Sequence, residues 1–347
     1  MNLDNYLTRN VTSKCFLGPM PHWPWGRSVK HDLTPNNESY SIRDSEIAHE
    51  FRPYFRAYKD GRVERFFGSD IVPASIDPQD GVSSKDVTIV PETSVSARIF
   101  IPSSVKPSQK LPLVVYFHGG GFFMGSSFCS EYHNYVTSLV SEANVVAVSV
   151  DYRLAPEHLI PIAYEDSWAA LRWVASHCSG EGPEAWLKDY ADFERVFLVG
   201  DSAGGNIVHN MAVQASTEDL SGVKLLGICL IQPFFGRKDG HVDKCWLFVS
   251  PTSRFDDPRI NPAVDSRLSR LGCSRVLTFL AEKDNLRERG LFFCETLKSS
   301  GWGGELVIVE TEGEDHAFQL LNQKSERALA LMNRLVSFIN QDKAASM

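Results

Sequence analysis

The chain has 347 residues, of which 43% are hydrophobic, 22% charged and 11% aromatic, and its formal net charge is −8. That length and mix suit a globular α/β chain with a sizeable core and exclude a disordered, collagenous or repeat-array composition. The acidic balance argues against broad nucleic-acid binding, and no apolar stretch approaches the roughly 18 residues of a spanning helix.

Residues 1–42 form a leader rich in Pro, Trp and Asn, without clear periodicity. It lacks the apolar core of a secretory signal, so the sequons at Asn10 and Asn37 are expected to go unused and the cytoplasm is the expected compartment. An organelle transit peptide is the alternative, against which Asp4 and Asp32 count. Residues 43–342 read as one domain. At its start Ile47, Phe51, Tyr54 and Phe55 recur at helical spacing and predict a helix. Residues 86–90 and 95–101 alternate as an antiparallel hairpin does, across a short turn at Pro91, Glu92 and Thr93.

Beyond the hairpin the pattern changes. Residues 113–117, 145–150, 196–199, 226–231, 276–280 and 306–309 are continuous apolar runs, as strands covered on both faces require. Helical patterns separate them: Tyr132 to Val140, Trp168 to Val174, and residues 203–215, 287–299 and 324–340. This alternation predicts βαβ units, hence a mainly parallel central sheet with helices on both faces and two antiparallel strands at one edge. Cys15, Cys129, Cys178, Cys229, Cys245, Cys273 and Cys294 are scattered without a CxxC pair, so buried, reduced thiols are expected rather than disulfides or a metal site.

Three features carry chemistry. Gly200-Asp201-Ser202-Ala203-Gly204 is a G-x-S-x-G pattern between a strand and a helix, where glycines let the two approach around a sharply turned serine. His118-Gly119-Gly120-Gly121 follows the strand 113–117. Consecutive glycines there can turn backbone N–H groups of Gly119, Gly120 and Gly121 toward a developing oxyanion, joined by that of Ala203. A serine hydroxyl needs a base, and the base needs a carboxylate; in this arrangement they follow the serine in the order acid, then histidine. Of the later histidines, His209 lies within the helix after Ser202 and His241 in a charged loop. His316 follows the last strand and can reach the sheet edge. Asp284, after the strand 276–280, holds the equivalent position one strand earlier. Glu282 and Asp315 compete with it, but Glu282 is nearly in the strand and Asp315 adjoins its own histidine.

HGGGF, DYRLAPEH (151–158), GDSAGGN (200–206), DDPRINP (256–262), EKD (282–284) and GEDHAF (313–318) together resemble the plant carboxylesterases among the hormone-sensitive-lipase-like α/β hydrolases, over residues 45–340. The resemblance implies the α/β-hydrolase fold with a small N-terminal cap. It also implies hydrolysis of short-chain or aryl small-molecule esters by Ser202, His316 and Asp284, with no cofactor and no metal. Gibberellin receptors and 2-hydroxyisoflavanone dehydratases share the scaffold, so a receptor and an elimination enzyme are the competing readings. The receptors lack the histidine, which this chain keeps.

Two departures stand out. The leader exceeds the family's usual start, and only five residues separate Gly236 from Val242, where relatives have more than a dozen beside the acyl pocket. Trp168 and Trp173 read as core packing, Arg153 and Glu157 as ion pairs holding a loop, His118 as a loop-ordering residue, and residues 324–334 as a solvated helix face.

Overall fold

The computed structural model describes residues 46–76, 81–106 and 109–344; the leader 1–42, with Cys15 and both sequons, lies outside them. The expected hairpin is β4 (Val82–Val90) and β5 (Val95–Pro102), joined by a 3-10 turn over Pro91–Thr93 with Ser94 left-handed. The chain then alternates. It runs through β6 (Leu111–Phe117), α1 (Ser130–Ala143), β7 (Val146–Asp151), α2 (Ile162–Ala175), the short α3 (Ala185–Tyr190), β8 (Ala191–Asp201), α4 (Ala203–Gln214) and β9 (Leu225–Ile231). After the short helix α5 (Lys244–Val249) come β10 (Arg275–Ala281), α6 (Arg287–Ser299), β11 (Glu305–Thr311), the single turn α7 (Phe318–Leu321) and α8 (Glu326–Ala344).

These strands make an eight-stranded sheet in the order β11-β10-β9-β8-β6-β7-β5-β4. Every pairing from β7 through β6 and β8 to β11 is parallel, and β5 and β4 are antiparallel at one edge. Both faces are packed, which explains the unbroken apolar runs. Leu113, Val115 and Phe117 of β6 join Trp168, Leu171, Ile207 and Met211 of α2 and α4. Val114 and Tyr116, pointing the opposite way, join Tyr132, Val136 and Leu139 of α1 and Leu331 and Leu335 of α8. Each fully buried aliphatic or aromatic side chain contributes about 1.5–3 kcal/mol, and a period-2 strand delivers them alternately to the two layers.

The helix expected around residues 47–55 is not formed. Its residues make β1 (Ile47–Phe51) and β2 (Phe55–Tyr58), which with β3 (Val63–Arg65) build a separate three-stranded sheet. Positions 47, 51 and 55 are four apart, a spacing that shares a face in a strand as well as in a helix. Pro53 removes an N–H and would clash in a helix interior, so it settles the choice and takes the turn between the strands. The cysteine expectation also needs correction: Cys129, Cys229, Cys273 and Cys294 are buried, but Cys245 is half-buried and Cys178 exposed.

The short connection after Gly236 is well tied. Gly236 donates its N–H to the Ile260 carbonyl at 2.7 Å. Asp243, where α5 begins, receives both arms of the buried Arg289 guanidinium, one of them at 3.0 Å, and the same guanidinium donates to the Phe235 carbonyl at 3.2 Å.

Candidate active site

The order of the sheet reverses between β6 and β8, since β7 continues on one side of β6 and β8 starts the other half. Such a switch leaves a crevice at the carboxyl ends of the two strands. Residues 118–121 leave β6 there and Ser202 leaves β8 there.

Ser202 sits at φ 52° and ψ −116°, a conformation that costs a non-glycine residue on the order of 1–3 kcal/mol. Its surroundings hold it: its N–H donates to the Ile231 carbonyl at 2.8 Å, and the Phe234 N–H returns to its carbonyl at 2.9 Å. The flanking glycines are needed for close approach rather than for flexibility. A Cβ on Gly204 would lie 1.9 Å from the Phe117 carbonyl oxygen, and one on Gly200 would lie 2.5 Å from the Gly204 backbone.

His316 and Asp284 reach Ser202 from the next two loops. Ser202 Oγ lies 3.0 Å from His316 Nε2, and His316 Nδ1 lies 2.8 Å from Asp284 Oδ2. The carboxylate fixes the tautomer: Nδ1–H donates to it, leaving the Nε2 lone pair for the serine hydroxyl. Asp284 is buried, and its other oxygen accepts the Leu286 N–H at 2.7 Å. Burial by itself would lower the His316 pKa. The charge and hydrogen bond of Asp284, helped by Asp201 and Asp315, outweigh that and hold it above the ordinary 6.5. The ring is surrounded by protein yet keeps 34% of its side-chain surface open. The competing carboxylates have other partners, Glu282 Oε2 taking the Gly313 N–H at 2.6 Å and Asp315 Oδ1 the backbone N–H of His316 at 2.7 Å. His209 is buried between Phe235 and Phe293, and burial pushes its pKa down to about 4.

Gly120 (φ 107°) and Gly121 (φ 64°) turn the loop after β6, and neither N–H is used by the loop's own backbone hydrogen bonds. Ala203, the first residue of α4, has an N–H that the helix does not use. These three donors are available to an oxyanion. Gly119 is a correction, because its N–H donates to Tyr132 Oη at 2.8 Å and Asp201 Oδ1 at 3.1 Å. His118 is fully buried, stacked on Tyr152 at 4.3 Å, with Nδ1 donating to the Gly119 carbonyl at 2.7 Å, an arrangement that orders the loop.

Asp201 was missed by the sequence reading although it stands inside the serine motif. It is buried beneath the glycine loop and also accepts from Tyr116 Oη at 2.8 Å and Tyr132 Oη at 3.0 Å. Burial raises its pKa to about 6 against the pull of the two phenols. Arg65 on β3 was missed too. It donates to the Phe123 carbonyl at 2.7 Å and the Ala155 carbonyl at 2.9 Å, and pairs with Glu157 at 2.6 Å. Phe123 in turn stacks on Phe51 at 4.8 Å and meets Phe55 at 4.9 Å. Arg153 pairs with Asp166 at 2.6 Å, so both loop residues singled out in the sequence do form ion pairs.

A family model described as the alpha/beta hydrolase fold matches residues 114–320. Probable carboxylesterase 7 of Arabidopsis thaliana is 45% identical over 314 residues, covering 86% of this chain and 100% of the relative. The chain belongs to the plant carboxylesterase family of α/β hydrolases. The same family includes a 2-hydroxyisoflavanone dehydratase of Glycine max, 44% identical over 315 residues and covering 85% of this chain and 99% of that one. Among solved structures, an esterase of Pyrobaculum calidifontis matches with a TM-score of 0.60 and 29% identity, over 75% of this chain and 85% of that one. Family membership accounts for the switch-point crevice and the strained serine after β8, since α/β hydrolases carry their nucleophile on such a turn.

Proposed function

We propose that this carboxylesterase-family protein is a serine ester hydrolase acting on small-molecule esters, with Ser202 as nucleophile, His316 as general base and acid, and Asp284 as its orienting carboxylate. The observation that carries the reading is the unbroken path of hydrogen bonds from Ser202 Oγ through the imidazole to Asp284, at 3.0 and 2.8 Å. Ser202 Oγ attacks the ester carbonyl carbon as its proton passes to His316 Nε2. The carbonyl oxygen becomes an oxyanion, received by the N–H groups of Gly120, Gly121 and Ala203; each such donor is typically worth about 10²–10³ in rate. Collapse expels the alcohol, which takes the proton from Nε2 and leaves an acyl-Ser202. Water then attacks, gives its proton to Nε2, and the acid departs as Ser202 regains its hydrogen.

A cytoplasmic setting fits the dispersed thiols, and no helix among the described residues is long and apolar enough to cross a membrane. The 236–243 connection is shorter than the segment that borders the acyl pocket in relatives, so a more open pocket and a flattened acyl-chain profile are expected. Rates for acetate, butyrate and hexanoate esters should fall within about two orders of magnitude of one another, since one pocket contact gives about 1–3 kcal/mol of discrimination. Fluorophosphonate labelling followed by peptide mapping tests the assignment. Modification at Ser202 and turnover of p-nitrophenyl butyrate are expected, and equal rates for the native chain and Ser202→Ala would refute it. The dehydratase relative favours a second reading, elimination at the same histidine; incorporation of solvent oxygen into a product acid distinguishes hydrolysis from it.

A further inference from the structure

We propose that Gln232 is a positioning residue that sets the distance between Ser202 and His316; the proposal rests on the hydrolase reading. The segment 231–234 lies between the two groups. Its backbone grips the serine, through Ser202 N–H to the Ile231 carbonyl at 2.8 Å and Phe234 N–H to the Ser202 carbonyl at 2.9 Å. Its one long polar side chain grips the histidine loop: Gln232 Oε1 accepts the N–H of Ala317, the residue after His316, at 2.6 Å. Gln232 is itself anchored to β10 by its N–H, which donates to the Phe279 carbonyl at 2.8 Å.

The cost of this arrangement argues that it has a task. Gln232 and Ala317 face each other with φ of 48° and 59°, both left-handed and neither a glycine. Gln232 is 1% exposed, and its Nε2 meets no acceptor among the described residues. A buried unpartnered donor carries an uncompensated loss of hydration, which an apolar side chain of similar volume would avoid. The amide cannot be turned over to cure this, because Ala317 offers an N–H and needs the oxygen. Two other ties of the loop, Gly313 N–H to Glu282 at 2.6 Å and Lys283 N–H to the Glu314 carbonyl at 2.9 Å, run to the Asp284 side, and Arg327 of α8 pairs with Glu314 at 3.1 Å. Among the described residues, Gln232 supplies the tie from the Ser202 side. Since a displacement of about 1 Å in a reacting pair can cost on the order of 10² in rate, one hydrogen bond placed here governs the proton transfer without touching the substrate.

The test compares Gln232→Leu, which removes the acceptor, with Gln232→Glu, which keeps an acceptor oxygen in either protonation state. Gln232→Asn, one methylene too short to reach, serves as a second loss variant. Each is assayed with p-nitrophenyl butyrate against a Ser202→Ala blank. Leucine and asparagine should lower kcat about 30- to 100-fold with KM within threefold. Glutamate should return kcat to within about fivefold at alkaline pH, with the acid limb moved upward by the added negative charge near the imidazole. The nitrogen-15 resonance of His316 Nε2 reports the Ser202 hydrogen bond whether or not any ester turns over. It should move toward the unbonded position in the leucine and asparagine variants and stay in place in the glutamate variant. Native kcat with an unmoved resonance in both loss variants, or an equal loss in all three, overturns the proposal. A native chain inert toward every ester would remove the hydrolase reading and leave the resonance to decide the role of Gln232.

Discussion

Replacing Asp201 by asparagine should change how stability depends on pH. The carboxyl is held at about 6 in the folded chain against an ordinary 3.8, so folding favours its protonated form. The stabilisation is complete below pH 3.8 and is lost as pH rises through 6. The difference of about 2 units corresponds to about 3 kcal/mol, by which the native fold is penalised at pH 7 relative to acid. Asparagine carries no such penalty. It has one acceptor oxygen where Asp201 offers two to Tyr116, Tyr132 and Gly119, so a constant loss is expected at every pH. The diagnostic quantity is therefore the slope: between pH 4 and pH 7 the unfolding free energy of Asp201→Asn should gain about 2.4 kcal/mol on the native chain. Urea denaturation at half-unit intervals measures it, since groups common to both proteins cancel in the difference. A second readout comes from His316, whose pKa Asp201 helps to raise. Removing that charge should move the acid limb of kcat/KM to lower pH. Parallel stability curves would show that the carboxyl titrates normally and that its burial beneath the glycine loop has no electrostatic consequence.

The remaining expectations follow from the same geometry. His316 acts as a base only when neutral and its pKa is raised, so kcat/KM should fall on the acid side with an apparent pKa above 6.5, measured as a pH–rate profile. Ser202→Ala should remove at least about 10³ of the activity in the p-nitrophenyl ester assay. Gly204→Ala would force a Cβ to within 1.9 Å of the Phe117 carbonyl oxygen, so a loss of about 2 kcal/mol or more in denaturation and of about 100-fold in kcat is expected. Gly303→Ala, where a Cβ meets nothing within 4 Å, should stay within about 0.5 kcal/mol of the native chain. Arg289→Ala leaves Asp243 and the Phe235 carbonyl without their donor. It should cost about 3 kcal/mol by thermal unfolding and alter the ratio of butyrate to hexanoate turnover.

What could be read from the sequence was whatever imposes a local demand on residue type. A strand covered on both faces must be apolar throughout, so all six core runs were visible. A serine on a turn that admits no neighbouring Cβ must sit between glycines, so the proposed nucleophile was visible too. Asp284 and His316 followed because each lies in the loop that leaves the end of a strand. Asp201, Tyr132, Arg65 and Gln232 were invisible for the opposite reason. Each matters through a partner far away in the chain, as with Tyr132 and Asp201, 69 positions apart, or Gln232 and Ala317, 85 apart, and no local pattern marks it. Gly119 shows the limit even within a motif: three consecutive glycines look equivalent, yet the first spends its N–H on a buried carboxylate. The 47–55 segment misled because four-residue spacing does not separate the two periodicities.

The Arg65 contacts fasten the small sheet to the loop that carries the glycine turn. One guanidinium on the small sheet holds the carbonyl of Phe123, two residues past Gly121, while the Phe123 ring is wedged against Phe51 and Phe55 of that same sheet. The small sheet and the glycine turn are therefore mechanically one part. Phe55 and Phe123 are buried, so a change in the packing of the small sheet is carried inward to the glycine turn. Substitutions at Phe51 or Phe55 should therefore register in kcat, through the glycine turn, as well as in stability.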